Sequence, residues 1–255
     1  MNEKVIYTSL VGGYDDLLQP EVIFHDFDYI CFSNDFQEKR NGVWEIRPIP
    51  FYCEDKTRLS RYVKLNPHLV LSEYKYSLWV DSNIQILNDY LLERLNLMIE
   101  DEVKIAMVEH PKINCIYKDA YNCIKAANEK YSTIIEQVMF LCSEGYPKEN
   151  GLYENNLIFR EHNAPDIVQI STEWWRIYMR YSRRDQLSFC YVVWKYKAFV
   201  SSLLPHGCST FDKQYFHRRG HKISTCQRVV RKLKYYKNML FLSVYGFPIK
   251  VGVKR

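Results

Sequence analysis

Apolar positions along this chain fall into short strand-length runs separated by stretches with helical spacing. Residues 4–11 (KVIYTSLV) predict a first strand, closed by a turn at Gly12-Gly13-Tyr14-Asp15. Further strands are predicted at 28–32, 44–49, 76–80, 104–108, 157–160 and 198–203. Helices are predicted at 55–66, 90–100, across most of 117–142, and at 167–181 and 186–195. Asp55 suits the N-cap of the first helix and Pro67 falls just past its end. Glu154-Asn155-Asn156 reads as a turn before the strand at 157–160. Strands alternating with helices predict an α/β fold with parallel pairs in its sheet.

The most informative run is YSLWVDSNIQI (76–86). An apolar strand runs straight into Asp81-Ser82-Asn83, which places a carboxylate at the strand's carboxyl end. Open α/β sheets bind ligands in the crevice at that edge. A carboxylate there can hold a hard cation, and the cation a diphosphate. The same tripeptide also suits an ordinary turn, since Asp and Asn are common turn residues.

The chain has 255 residues, 47% hydrophobic and 25% charged, an ordinary globular composition for one large domain. Its eight cysteines form no CxxC pair, so they read as reduced thiols rather than zinc ligands. No secretory leader opens the sequence and no apolar run reaches the ~18 residues of a membrane span. A cytoplasmic protein is therefore expected. The net charge of +5 conceals an asymmetry. Residues 213–255 carry twelve Lys/Arg and no acid, whereas 1–212 carry 23 Lys/Arg against 30 Asp/Glu. The expected organisation is a catalytic domain at 1–212 followed by a basic, partly amphipathic segment at 213–255. Within 227–242, Val229, Leu233, Tyr236 and Leu240 recur at helical spacing among Arg228, Arg231, Lys232 and Lys234. Such a helix can lie on the anionic inner face of a plasma membrane, or pack on the domain with a solvated basic face.

Other constellations could carry chemistry. Arg58, Arg61 and Lys64 recur every three residues before the Asp81 strand and can grip phosphates or form a solvated helix face. Asp185-Gln186 opens a helix after Arg183 and Arg184, where Asp185 can cap the helix, bind acceptor hydroxyls, act as base, or sit beneath a donor sugar. Asn155, Asn156, Arg160 and His162 bracket one strand, and His110 follows another, so all suit a sugar-binding crevice or, equally, ordinary turns. Arg184 belongs to the same substrate-binding set. His206, His217 and His221 are candidate late metal ligands. Motifs of dinucleotide binding, P-loops, serine hydrolases and zincins are absent.

In order, YTSLVGGYD (7–15), DYICFSND (28–35), R-x-x-R-x-x-K (58–64), YSLWVDSNIQI (76–86), HPKINCIY (110–117), GLYENNLIFREHN (151–163), EWW (173–175) and YSRRDQLSFCYVVWK (181–195) resemble a known family. It is the glycosyltransferase-like family of bacterial polysaccharide clusters and plant seed-mucilage and Golgi proteins. The resemblance covers roughly residues 4–200. It implies a GT-A-like, Rossmann-type mixed sheet flanked by helices, with a nucleoside-diphosphate sugar as donor and Mn²⁺ or Mg²⁺ as cofactor. It places Thr8, Tyr14 and Asp15 at the nucleoside, Arg58, Arg61 and Lys64 at the phosphates, and Asp81 at the metal. Asp185-Gln186 resembles an acid–glutamine pair near the donor sugar in the retaining glycosyltransferase family eight. The family's usual Asp-x-Asp reads Asp81-Ser82-Asn83 here, so the metal would rest on Asp81, with Asn83 and a late histidine such as His206 as further ligands.

The expected function is sugar transfer to a glycan or lipid-linked acceptor in surface polysaccharide synthesis, by an enzyme peripheral to the membrane. No nucleic-acid partner is expected. Two rivals stay open: a metal-dependent hydrolase of a lipid or nucleotide substrate, and a non-catalytic module that binds polyanions or membranes.

Overall fold

A computed structural model describes residues 2–13, 16–220 and 225–249. Tyr14, Asp15 and His221, named above as candidate ligands, lie outside the described residues. The elements run β1 (Lys4–Ser9), β2 (Phe27–Phe32), β3 (Arg40–Asn41), β4 (Trp44–Arg47), α1 (Lys56–Leu65), α2 (Pro67–Val70), β5 (Tyr76–Val80) and β6 (Ile84–Ile86). They continue α3 (Tyr90–Glu100), β7 (Ile105–Glu109), α4 (Ile116–Lys125), α5 (Tyr131–Ser143), β8 (Tyr153–Arg160), α6 (Pro165–Arg180) and α7 (Asp185–Tyr196). The last are β9 (Ser201–Ser202), β10 (Phe216–Arg218) and α8 (Thr225–Tyr245).

The main sheet has eight strands in the order β3-β4-β2-β1-β5-β8-β7-β9. Strands β4, β2, β1 and β5 are mutually parallel, while β8 runs antiparallel to both β5 and β7. The carboxyl ends of β1, β2, β5 and β7 therefore share one edge with the start of β8. The expected mixed α/β sheet flanked by helices is what the chain forms.

Because side chains alternate across a strand, the sheet feeds two cores. Tyr7, Trp79, Met107 and Ile158 face one, which α1 and α4–α7 cover through Val63, Ile116, Ile134, Trp174 and Leu187. Ile6, Leu78, Ala106 and Leu157 face the other, covered by Leu91, Leu95 and Met98 of α3. Both faces are buried, which explains the near-continuous apolar runs of β1 and β5.

Two expectations change. The single helix expected across 117–142 is two, because Ala127 takes a left-handed φ of 54° and ends α4. The connecting residues include Ala126 and Ala127, so composition does not mark the break. Glu154-Asn155-Asn156 is not a turn: it lies inside β8, buried between β5 and β7. A bulge between Met107 and Val108 accommodates it. Beyond residue 212, β10 pairs antiparallel with β6, directly after Asp81-Ser82-Asn83.

Just past β8, His162 is wholly buried and its Nε2–H donates to the Leu71 carbonyl at 2.9 Å. Burial pulls its pKa down to about 4 from 6.5, with the positive charge of Arg160 acting in the same direction. The unfolded chain thus takes up a proton that the folded chain refuses between these values, so the stabilisation present above pH 6.5 is lost as pH falls towards 4. About 3 kcal/mol of acid sensitivity should follow. Denaturant titrations from pH 7 to 4 should show this loss in wild type and a smaller one in His162→Gln, which keeps a donor without titrating, while the neighbouring His68, its pKa also lowered by burial, still takes up its proton.

Candidate functional site

Asp81 sits where β5 leaves the sheet. Its backbone N–H donates to the Asn156 carbonyl at 2.9 Å, extending the ladder one residue beyond the strand. Its carboxylate Oδ1 accepts from Trp79 Nε1 at 2.7 Å. Trp79 is buried beside Tyr7, so the indole fixes the carboxylate from within the core. Asn83 turns the other way. It is buried, its Nδ2 donates to the Arg219 carbonyl at 3.0 Å, and its own carbonyl accepts from Arg219 N at 2.9 Å. Asn83 thereby fastens the β5–β6 turn to β10.

Opposite Asp81 two helix ends meet. Asp55 caps α1 by accepting from Thr57 N and Arg58 N. Lys64 lies in the last turn of α1, where a cation complements the helix dipole; Asp185 opens α7, where an anion does. Lys64 Nζ stands 2.7 Å from Asp185 Oδ2 and 3.5 Å from Asp81 Oδ1. Arg61 Nε approaches the same Asp185 oxygen at 3.5 Å. One buried ammonium thus ties both candidate carboxylates together. Burial raises the Asp185 pKa, but Lys64 and Arg61 outweigh it and hold the carboxyl below the usual carboxylate value. Burial works the other way on Lys64, lowering its pKa, and the two carboxylates resist that shift. We take the pair as charged, because two cations face Asp185 and two anions face Lys64.

The three cations of α1 do not share a face. Six residues turn a helix by about 600°, about 120° short of two whole turns, so Lys64 points inward while Arg58 and Arg61 stay partly exposed. Arg58 Nη2 donates to the Tyr181 carbonyl at 3.2 Å, which places it beside the segment leading to Asp185.

That segment is braced residue by residue. Arg184 forms a two-pronged pair with Asp119 of α4, both contacts at 2.9 Å. Arg183 pairs with Glu129 at 2.9 Å and lies 3.5 Å from Asp55. Ser182 Oγ donates to the buried Gln137. Trp174 Nε1 donates to the Asp185 carbonyl at 3.1 Å. Gln186, next on α7, is half-buried. Beneath the site Arg160, 1% exposed, donates to Tyr7 Oη at 2.5 Å and to the Lys64 carbonyl at 2.6 Å. It supports Lys64 from within the core.

The sheet edge beside Asp81 carries buried polar atoms with no protein partner: Thr8 Oγ1, Ser9 Oγ, both amide atoms of Asn155, and Asn156 Oδ1. Tyr7 pairs with Trp79, so two residues further along Ser9 comes alongside Asp81. Asn156 Nδ2 donates to Thr210 Oγ1 at 2.6 Å, and Thr210 donates to Glu154 at 3.0 Å. Native proteins rarely leave buried polar groups unpaired, so such a cluster marks a place for water or ligand.

Other candidates lie apart from this cluster. His110 Nδ1 accepts from Lys112 N and Ile113 N, each at 3.2 Å, and so holds the loop after β7. His162 is buried against Leu71, as described above. His206 is almost fully exposed and pairs with Glu109 at 3.2 Å, at the end of β7, two strands from β5. Among the described residues no three His, Cys, Asp or Glu gather as a metal cage. Asp81 alone of the three proposed ligands faces the site. That donor set suits a cation that takes most of its shell from phosphates and water. Sequence reasoning missed Asp119, Gln137, Ser9 and Thr210. Asp119 is 65 residues from Arg184, and no local pattern ties them.

Lys64→Met tests the electrostatic core. It leaves Asp185 buried without its nearest cation, with only the more distant Arg61 and Arg184 acting on it, so stability at pH 7 should fall by about 3 kcal/mol. In that variant burial would raise the Asp185 pKa, so acidification from pH 7 to 4.5 should narrow its deficit against wild type. Denaturant unfolding at both pH values measures it.

A plant protein, MUCI70 of Arabidopsis thaliana, described as a probable hexosyltransferase, is 25% identical over 247 residues. The match covers 84% of this chain and 42% of that protein, so the chain spans about two-fifths of its relative's length. Among solved structures, the apo form of the bifunctional glycosyltransferase WbbM aligns over 94% of this chain and 44% of its own, with 9% identity and a TM-score of 0.45. The family described as TOD1/MUCI70, glycosyltransferase-like domain, matches residues 29–212, nearly three-quarters of the sequence, and the chain belongs to that family.

Proposed function

We propose that the chain transfers a sugar from a nucleoside diphosphate sugar to a hydroxyl of a glycan or lipid-linked acceptor. The observation that carries this reading is the Asp81–Lys64–Asp185–Arg61 cluster at the carboxyl edge of parallel strands, beside a row of unpaired buried polar atoms. Family membership supports transfer of a glycosyl group; donor, acceptor and metal are the proposal's own. The eight free cysteines support a reducing compartment such as the cytoplasm.

Each residue then has a role set by its exposure. Arg61 and Arg58 are partly exposed and would meet the diphosphate, stabilising the charge that develops on it as the glycosidic bond breaks. Lys64, 1% exposed, is too deep for that and instead holds the two carboxylates at fixed spacing. Asp185, with its lowered pKa, stays ionised at neutral pH. It is thus a weak proton acceptor and suits electrostatic stabilisation of positive charge on the sugar ring. Thr8 and Ser9 line the nucleotide side of the edge, and Asn155 and Asn156 the side where sugar hydroxyls would bind. A Mn²⁺ or Mg²⁺ ion, held by Asp81 and the donor's phosphates, would neutralise the leaving group.

A thermal-shift panel of nucleotide sugars with and without Mn²⁺ tests the donor site. A true donor at about 100 times its Kd should add about 2.7 kcal/mol, and Asp81→Ala should remove the Mn²⁺-dependent part. Asp185→Asn should keep donor binding and lose about 10²-fold or more in turnover. Stabilisation by no nucleotide sugar, or sugar release by water at a rate indifferent to acceptor, would refute transfer.

A further inference from the structure

The helix α8 is packed on one side and bare on the other. Its inner side is fastened by Asn238, its one buried residue, which donates to the carbonyls of Ile124 and Glu129 and accepts from Tyr131 N. Asn238 thus joins the end of α4 to the start of α5, and Arg231 adds a bond to the Ala126 carbonyl at 3.2 Å. At 100° per residue, Val229, Leu233, Tyr236, Leu240 and Val244 lie on the side opposite Asn238. All five are exposed, between 55% and 65%. They form an apolar stripe about 22 Å long. Soluble monomers rarely present such a patch without a use.

We propose that this stripe docks the protein on an anionic phospholipid surface, with α8 lying in the plane of the interface. The charges flanking the stripe choose the occupant. Arg228 and Lys232 border it on one side and Lys237 on the other, and α8 contains no Asp or Glu. A second copy of the chain, packed symmetrically stripe to stripe, would bring cationic borders together. An anionic lipid surface matches the apolar centre and the cationic borders at once. Beside the stripe, a groove of about 560 Å³ between α5 and α8 is walled by Tyr131, Phe241 and Tyr245 and edged by Lys130, Lys234 and Lys237; the one acid in its lining, Glu129, is paired with Arg183. Aromatic walls with cationic edges suit the boundary between acyl chains and phosphate headgroups. No helix among the described residues is long and apolar enough to cross a membrane, so α8 would lie on the bilayer. This inference does not depend on the sugar-transfer reading.

Flotation of the full chain with vesicles of phosphatidylcholine, alone or mixed with phosphatidylglycerol, tests it. Wild type should float with the mixed vesicles at least tenfold more than with neutral ones, and raised salt should weaken binding. Leu233→Asp with Leu240→Asp should abolish flotation while leaving the thermal midpoint and circular dichroism unchanged, since both side chains already face solvent. Lys232→Glu with Lys237→Glu should reduce flotation and flatten its salt dependence. Equal binding to both vesicle types, or undiminished binding by the double Asp variant, would overturn the proposal. So would a wild-type dimer in sedimentation equilibrium that the double Asp variant dissolves, with no flotation. Stripe-dependent capture of an acidic protein without vesicle binding would reassign the surface as well.

Discussion

The buried pair of Lys64 and Asp185 is the contact on which the site depends. It joins the end of α1 to the start of α7 and, through the second contact of Lys64 with Asp81, joins both to the tip of β5. Taking these charges from water is costly, and a well-packed apolar pair would stabilise the fold as well or better. What the ion pair supplies is position. Helix dipoles favour Lys64 and Asp185 where they stand, and neither can move without leaving a buried charge uncompensated.

Around that pair the protein is braced in layers. Arg160 holds the Lys64 carbonyl, Trp79 the Asp81 carboxylate and Trp174 the Asp185 carbonyl. Farther out, Asp119 holds Arg184 and Glu129 holds Arg183. Preorganised charges stabilise a transition state without reorganising at the moment of reaction, and these contacts provide that stiffness. The α4–α5 connection belongs to the same frame: the Glu129 side chain reaches Arg183, while the Glu129 carbonyl is gripped by Asn238 of α8. The apolar stripe of α8 is therefore one loop away from the segment that presents Asp185.

Much of this was legible beforehand. Near-continuous apolar runs located β1, β2 and β5, because strands buried on both faces carry few polar positions. The cap at Asp55 and the stop at Pro67 bounded α1, because capping is local chemistry. Asp81 could be singled out because a buried apolar run ends at it, on the edge where open α/β sheets bind ligands. The helical spacing of Val229, Leu233, Tyr236 and Leu240 was equally plain, but periodicity cannot tell which side of a helix is packed. Here the packed side is the one that carries Asn238, and the apolar stripe faces outward.

Sequence alone determined the α/β alternation, the strand-end position of Asp81, the cationic α1 and the basic amphipathic α8, since each depends on residues within a few turns of one another. Only the tertiary structure decided that Glu154-Asn155-Asn156 is a buried strand, that Lys64 points inward between two carboxylates, and that Asp119 anchors Arg184. Those facts depend on partners up to 121 residues apart in the chain, or on strands that meet only in the folded sheet. Contacts of that kind arise from burial and charge pairing in three dimensions, which leave no periodic trace along the chain.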